Sequence, residues 1–224
     1  MPSSEAIVLP TTVRPKKYRL RLQPDFNNFT FQGEETVDVE VVESTAEIVL
    51  NAADLKIASA VLHRNGGSST ATNIALDSSR QTATLTFAEP IPTGDANLEI
   101  SFTGELNDKL HGFYRSEYTD ADGETRYLAT TQFEATDARR AFPCWDEPDL
   151  KATFQVTLVV PSDLTAISNT QVTDVIDLGD GHKAVKFAET PRMSTYLLAF
   201  VVGDLASVEA TAPSGTRMRV WATR

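Results

Sequence analysis

The residues whose types and spacing could do chemistry are Gln132 and Glu134, an amide and a carboxylate closing an alternating run. On a continuing strand, side chains two apart leave the same face, so both would reach one ligand. Their oxygens suit a primary ammonium, which brings three donors and one positive charge. The same pair also suits an exposed strand end or a local ion pair, and spacing alone does not choose. Arg139, Arg140, Asp146 and Glu147 follow, and their mixed signs read as a local ion-pair network.

No second constellation in the chain supports catalysis. His63, His111 and His182 stand far apart, and none has a second histidine at metal-ligand spacing. A zinc peptidase sets two histidines on one helical face in His-Glu-x-x-His, with the glutamate polarising water. That motif is absent, so no catalytic residue and no metal ligand is assigned here. Cys144 has no histidine near it in sequence to activate it, and reads as a buried structural cysteine. As the single cysteine it forms no internal disulfide, which fits a reducing compartment. No glycine loop of the phosphate-cradling kind is present.

Charge narrows the partners. With 20 Lys and Arg against 31 Asp and Glu, the formal net charge is −11. Phosphate backbones would be repelled, so no nucleic-acid partner is expected, whereas a cationic ligand would be attracted. The longest apolar run, Tyr196 to Val202, has the length of a strand, and no membrane partner is expected. The opening Met1-Pro2-Ser3-Ser4-Glu5 lacks the basic and apolar regions of a secretory signal. The sequon Asn28-Phe29-Thr30 would matter in a secreted protein alone.

The elements that must position Gln132 and Glu134 are strands. Tyr18, Leu20 and Leu22 alternate with Arg19 and Arg21, as on a half-buried strand. Val37, Val39 and Val41 repeat the pattern, as do Ala83, Leu85 and Phe87, then Leu98, Ile100 and Phe102. Phe154, Val156, Leu158 and Val160 follow, then Val185 with Phe187, and the run Tyr196 to Val202. Asn65-Gly66-Gly67, Asp122-Gly123 and Asp180-Gly181 supply turn residues that tolerate positive φ. Strands about every ten residues with turns between them imply antiparallel sheets packed as a sandwich or a curled saddle. Residues 136–142 break the pattern: Thr136 can cap, Asp137 is acidic, and Pro143 stops a short helix.

The stretch Thr131-Gln132-Phe133-Glu134-Ala135-Thr136-Asp137-Ala138-Arg139-Arg140-Ala141-Phe142-Pro143-Cys144-Trp145-Asp146-Glu147-Pro148 resembles the signature of the gluzincin-type zinc aminopeptidases, in the wording of their puromycin-sensitive branch. Three further segments agree with that family in order. They are Leu9-Pro10 to Tyr18-Arg19-Leu20, Phe31-Gln32-Gly33, and Thr190-Pro191-Arg192-Met193-Ser194-Thr195-Tyr196-Leu197-Leu198-Ala199-Phe200.

The resemblance implies a saddle-shaped, mainly β, sandwich-like N-terminal domain over residues 1–224, packed against a catalytic domain that this chain lacks. It implies that the zinc ligands and general base lie beyond Arg224, so this chain holds no cofactor while the full-length enzyme holds zinc. It further implies that Glu134 contacts the free amino group of a peptide substrate and that Gln132 lines the same pocket. The partners would be a peptide N-terminus and the missing catalytic domain, in the cytoplasm as for the cytosolic members. The alternative is a free-standing β-sandwich module that binds or scaffolds a partner. A zinc motif downstream in the gene separates the two.

Overall fold

A computed structural model describes residues 8–64 and 66–224. Met1 to Glu5 and Asn65 of the first glycine turn lie outside the described residues. The chain runs through β1 (Val13–Asp25), β2 (Thr30–Val41), β3 (Thr45–Asn51) and β4 (Leu55–Arg64). Short β5 (Gly67–Thr70) and β6 (Asn73–Asp77) precede β7 (Thr82–Ile91) and β8 (Gly94–Glu105). Next come β9 (Gly112–Thr119), β10 (Thr125–Gln132), β11 (Thr153–Pro161), β12 (Thr165–Ser168), β13 (Val172–Asp177) and β14 (His182–Phe187). The last are β15 (Phe200–Gly203), β16 (Leu205–Thr211) and β17 (Arg217–Thr223). Gly66, Gly123 and Gly181 take the positive φ their turns require. No helix among the described residues is long and apolar enough to cross a membrane.

The sheets are mainly antiparallel, as the alternation predicts. The largest has eight strands in the order β13-β14-β11-β1-β2-β8-β4-β5. A four-stranded sheet, β12-β15-β10-β9, carries the candidate site, and β3-β7-β6 and β16-β17 complete the set. One pair departs from the expectation: β1 and β11 run parallel, with Lys17 opposite Thr153 and Leu22 opposite Leu158. Parallel neighbours need a long crossover, and everything from β2 to the loop before β11 serves as that crossover.

Inner faces of the sheets meet in one core. Tyr18, Leu20, Leu22, Val37, Val39, Val41, Leu98, Ile100, Phe154, Val156 and Leu158 are all buried, as their spacing predicts. Phe31 of the large sheet packs on Phe113 of the four-stranded sheet at 5.1 Å between ring centroids, which makes the arrangement sandwich-like. Tyr18 stacks on Phe154 at 4.9 Å, across the parallel pair. One inward position of β2 holds Glu35, where the pattern calls for an apolar residue.

Between β2 and β8, two glycines and two phenylalanines pair reciprocally. Phe31 faces Gly104 and Gly33 faces Phe102. A β-carbon on Gly33 would lie 2.3 Å from two ring atoms of Phe102, and one on Gly104 2.3 Å from Phe31. Each ring therefore occupies the space its opposite residue leaves empty. Gly33→Ala is expected to cost about 1–3 kcal/mol by overpacking, read from urea denaturation. Gly67→Ala, with open space around it, is the control, expected within about 0.5 kcal/mol. Equal effects at the two positions would refute the steric account.

The short helix expected over 136–142 is present as a single 3-10 turn, Ala138–Arg140, but the side-chain cap expected from Thr136 is not made. Ala138, Ala141 and Phe142 are all pulled into the core, which leaves no solvent face for a longer helix. The run Tyr196 to Val202 divides into a 3-10 turn, Thr195–Leu197, and the short β15. Asn169 explains the break: its side chain donates to the Leu197 carbonyl (2.8 Å) and accepts from the Ala199 N–H (2.7 Å). Those bonds occupy backbone groups that a longer ladder would need.

Candidate functional site

The site begins where β10 ends. β10 pairs with β9 along its length, setting Gln132 opposite Gly112, and with β15 on its other edge at Ala129 and Thr130. The Phe200 N–H donates to Thr131 Oγ1 at 3.0 Å, tying β15 to the last turn of β10. Gly112 has φ of 69°, and a β-carbon there would lie 2.7 Å from Cβ of Arg140. Only glycine lets the turn after β10 come so close to β9.

Gln132 and Glu134 are both exposed, and Phe133 between them is buried. The ladder ends at Gln132 and Glu134 lies in the turn that follows, while exposure still alternates from Gln132 through buried Phe133 to Glu134. The Gln132 amide nitrogen lies 3.5 Å from the Glu134 carbonyl oxygen. The Glu134–Ala135 peptide bond is cis. The Phe133 ring meets Phe200 edge-on at 5.9 Å and Phe142 at 6.1 Å, so an aromatic anchor sits beneath the pair. The Asp137 N–H then donates to the Phe133 carbonyl at 2.9 Å and closes the turn. Among the described residues, neither a hydrogen bond nor an ion pair engages the Glu134 carboxylate.

The charged residues that follow are spent on structure. Arg139 Nε donates to Asp146 Oδ2 at 2.9 Å, with side chains 12% and 1% exposed. Thr195 Oγ1 donates to the other Asp146 oxygen at 2.6 Å, and the Asp146 N–H donates to Asn51 Oδ1 at 3.0 Å. Arg140 pairs with Asp137 at 2.7 Å and with Asp54. Glu147 accepts from the Leu9 N–H at 2.6 Å. This is the expected ion-pair network, extended by Asn51, Thr195 and Leu9. Those three partners lie far away in sequence and carry no local signal.

Cys144 is fully buried and exchanges two backbone hydrogen bonds with Asn51 (2.7 and 2.9 Å). Burial pushes its thiol well above the usual range, with Asp146 adding to the effect, so it is a core residue and no nucleophile. The histidines sit apart on β4, before β9 and on β14, near Glu99, Asp137 and Asp180 respectively. Among the described residues no three His, Cys, Asp or Glu side chains gather so as to hold a metal ion. The donors present therefore do not fit a zinc centre, and zinc enters none of the chemistry assigned to this chain.

What this geometry offers is an exposed carboxylate, unpaired among the described residues, two positions from an exposed amide at a strand end. The family model described as "Peptidase M1 N-terminal domain" matches residues 14–197. The chain belongs to the M1 peptidase N-terminal domain family. Aminopeptidase 2 of Candida albicans is 48% identical over 202 residues, covering 90% of this chain and 21% of that protein. Puromycin-sensitive aminopeptidase of Caenorhabditis elegans is 44% identical, covering 95% of this chain and 23% of that protein. Aminopeptidase N of Acetobacter pasteurianus is also 44% identical, covering 96% and 59%. This M1 N-terminal domain thus spans less than a quarter of the first two relatives. The bacterial relative is as similar in overall identity as the nematode one.

Proposed function

We propose that residues 1–224 are the N-terminal β domain of a cytoplasmic zinc aminopeptidase, and that Glu134 receives the free amino group of its peptide substrate. The observation that carries this reading is the exposed Glu134 carboxylate, held over the buried Phe133 and paired with no cation among the described residues. A peptide α-amine, with an ordinary pKa of about 7.7–8.0, is largely cationic at neutral pH. Desolvating that charge without a counter-ion is costly, and a fixed carboxylate offsets the cost. Gln132 adds a neutral acceptor. Blocked or internal peptide positions bring no ammonium, so the pair would select chain ends.

In this reading the zinc and the bond-breaking groups belong to a catalytic domain in the full-length enzyme. Exposed Leu110, two residues before the partner of Gln132, and Leu197, just before β15, support a packed neighbour near the site.

In the full-length enzyme, Glu134→Ala is expected to lower kcat/KM for free-amine substrates roughly 10- to 150-fold. That is the worth of a charge-assisted hydrogen bond, about 1.5–3 kcal/mol. Gln132→Ala, losing a neutral acceptor, should cost roughly 2- to 12-fold. Zinc content and fold should stay intact in both variants. Unchanged kinetics for Glu134→Ala in a folded, zinc-replete enzyme would remove the assigned role.

A further inference from the structure

The buried carboxyl of Glu35 has no part in amine recognition, and its setting is unusual. It points inward from the middle of β2, is 2% exposed, and has neither oxygen in a hydrogen bond. Directly opposite it stand Leu20 on β1 and Ile100 on β8, both buried. The inner face of β8 offers Leu98, Ile100 and Phe102, and that of β11 offers Phe154, Val156 and Leu158; none can titrate.

The titratable groups that do face it are Tyr18 of β1 and Cys144 of the loop after the 3-10 turn. Burial pushes both well above their usual range, so both are neutral near pH 7 and neither supplies a cation. Asp146 lies near those two groups, but its charge is already engaged by Arg139. Charged Arg19, Arg21, Glu34 and Glu99 sit at alternate positions of the same strands, toward the other face of the sheet. An ionised carboxylate in this place would lack every form of compensation that buried charges require.

We propose that Glu35 is a proton-binding site built into the core, held as a neutral carboxylic acid in the folded protein, whose ionisation loosens the β1–β2–β8 contact as pH rises. Burial alone raises the Glu35 carboxyl well above the ordinary carboxylate range. The sign follows from linkage. Above the unfolded value of about 4.3, the folded state binds a proton that the unfolded state has released. The stability Glu35 allows is thus complete below that value. It falls as pH rises toward the folded-state value, by as much as tenfold in the folding constant per pH unit.

The test is urea unfolding of the 224-residue chain and of Glu35→Gln between about pH 5 and pH 8, with an infrared spectrum of each folded protein. The wild type should lose stability more steeply with pH than the variant, by up to about tenfold per unit in the folding constant. It should also show a protonated-carboxyl band near neutral pH that Glu35→Gln lacks. Glu35→Leu gives the same comparison of slopes if the glutamine variant does not fold. Parallel pH profiles, or the absence of that band from the folded wild type, would overturn the proposal.

Discussion

Asp146→Ala is expected to destabilise the protein by about 3–5 kcal/mol, the cost of leaving the largely buried Arg139 guanidinium without its counter-ion. The carboxylate accepts from Arg139 Nε (2.9 Å), the Arg139 N–H (3.3 Å) and Thr195 Oγ1 (2.6 Å). Its own backbone N–H is held by Asn51, and its carbonyl accepts from a second Arg139 nitrogen at 3.3 Å. After truncation, Arg139 keeps the Asp146 carbonyl and Gln81 Oε1 at 3.2 Å, both neutral acceptors. Asp146→Asn retains the shape and part of the hydrogen bonding, so its loss should be smaller, about 1.5–3 kcal/mol. Asp95, paired with Lys16 in the open, is the contrast, and its removal should barely move the transition. Urea midpoints at neutral pH decide the matter. A loss below about 1 kcal/mol for Asp146→Ala would place this pair with exposed ones.

Phe133→Ala is expected to cost a similar amount, about 3–5 kcal/mol, through the cavity it leaves. The ring is buried between Phe200 and Phe142, and Phe200 in turn meets Phe113 at 5.0 Å. These contacts link the end of β10 to β15, β9 and the 3-10 turn. Phe133→Leu, which keeps most of the volume, should cost less than about 1.5 kcal/mol. The pair also tests the site. If Gln132 and Glu134 serve as proposed, kcat/KM of the proposed full-length aminopeptidase should fall with the anchor gone and recover in Phe133→Leu. A stable Phe133→Ala protein with unaltered kinetics would show that the strand end holds itself.

Much of this architecture can be read from spacing because a strand needs little more than an apolar residue at every second position. The inner faces of β1, β2, β8 and β11 are such cases, and their Leu, Val and Phe residues are buried where alternation puts them. The burial of Phe133 between exposed Gln132 and Glu134 is legible for the same reason. What alternation cannot convey is which side chains compete with the ladder. Asn169 takes the backbone groups that would have lengthened β15, and nothing in the apolar run announces it. Nor can a local window see partners 49, 95 or 138 residues away, as Thr195, Asn51 and Leu9 are from Asp146 and Glu147. Glu35 is hidden in the opposite way: its type says surface, and only three packed strands show that it is inside.

The parallel pairing of β1 with β11 has a consequence for how the chain is made. Lys17 finds its partner Thr153 only after some 136 further residues have left the ribosome. At synthesis rates of about 5–20 residues per second, that interval is roughly 7–27 seconds. Throughout it the hairpin of β1 and β2 can form, but the other edge of β1, with Tyr18, Leu20 and Leu22 behind it, has no native neighbour. An unpaired edge of this kind invites the wrong strand. The nascent chain is therefore most exposed to aggregation and to chaperone capture in that window, and a ribosome pause placed before β11 would prolong it.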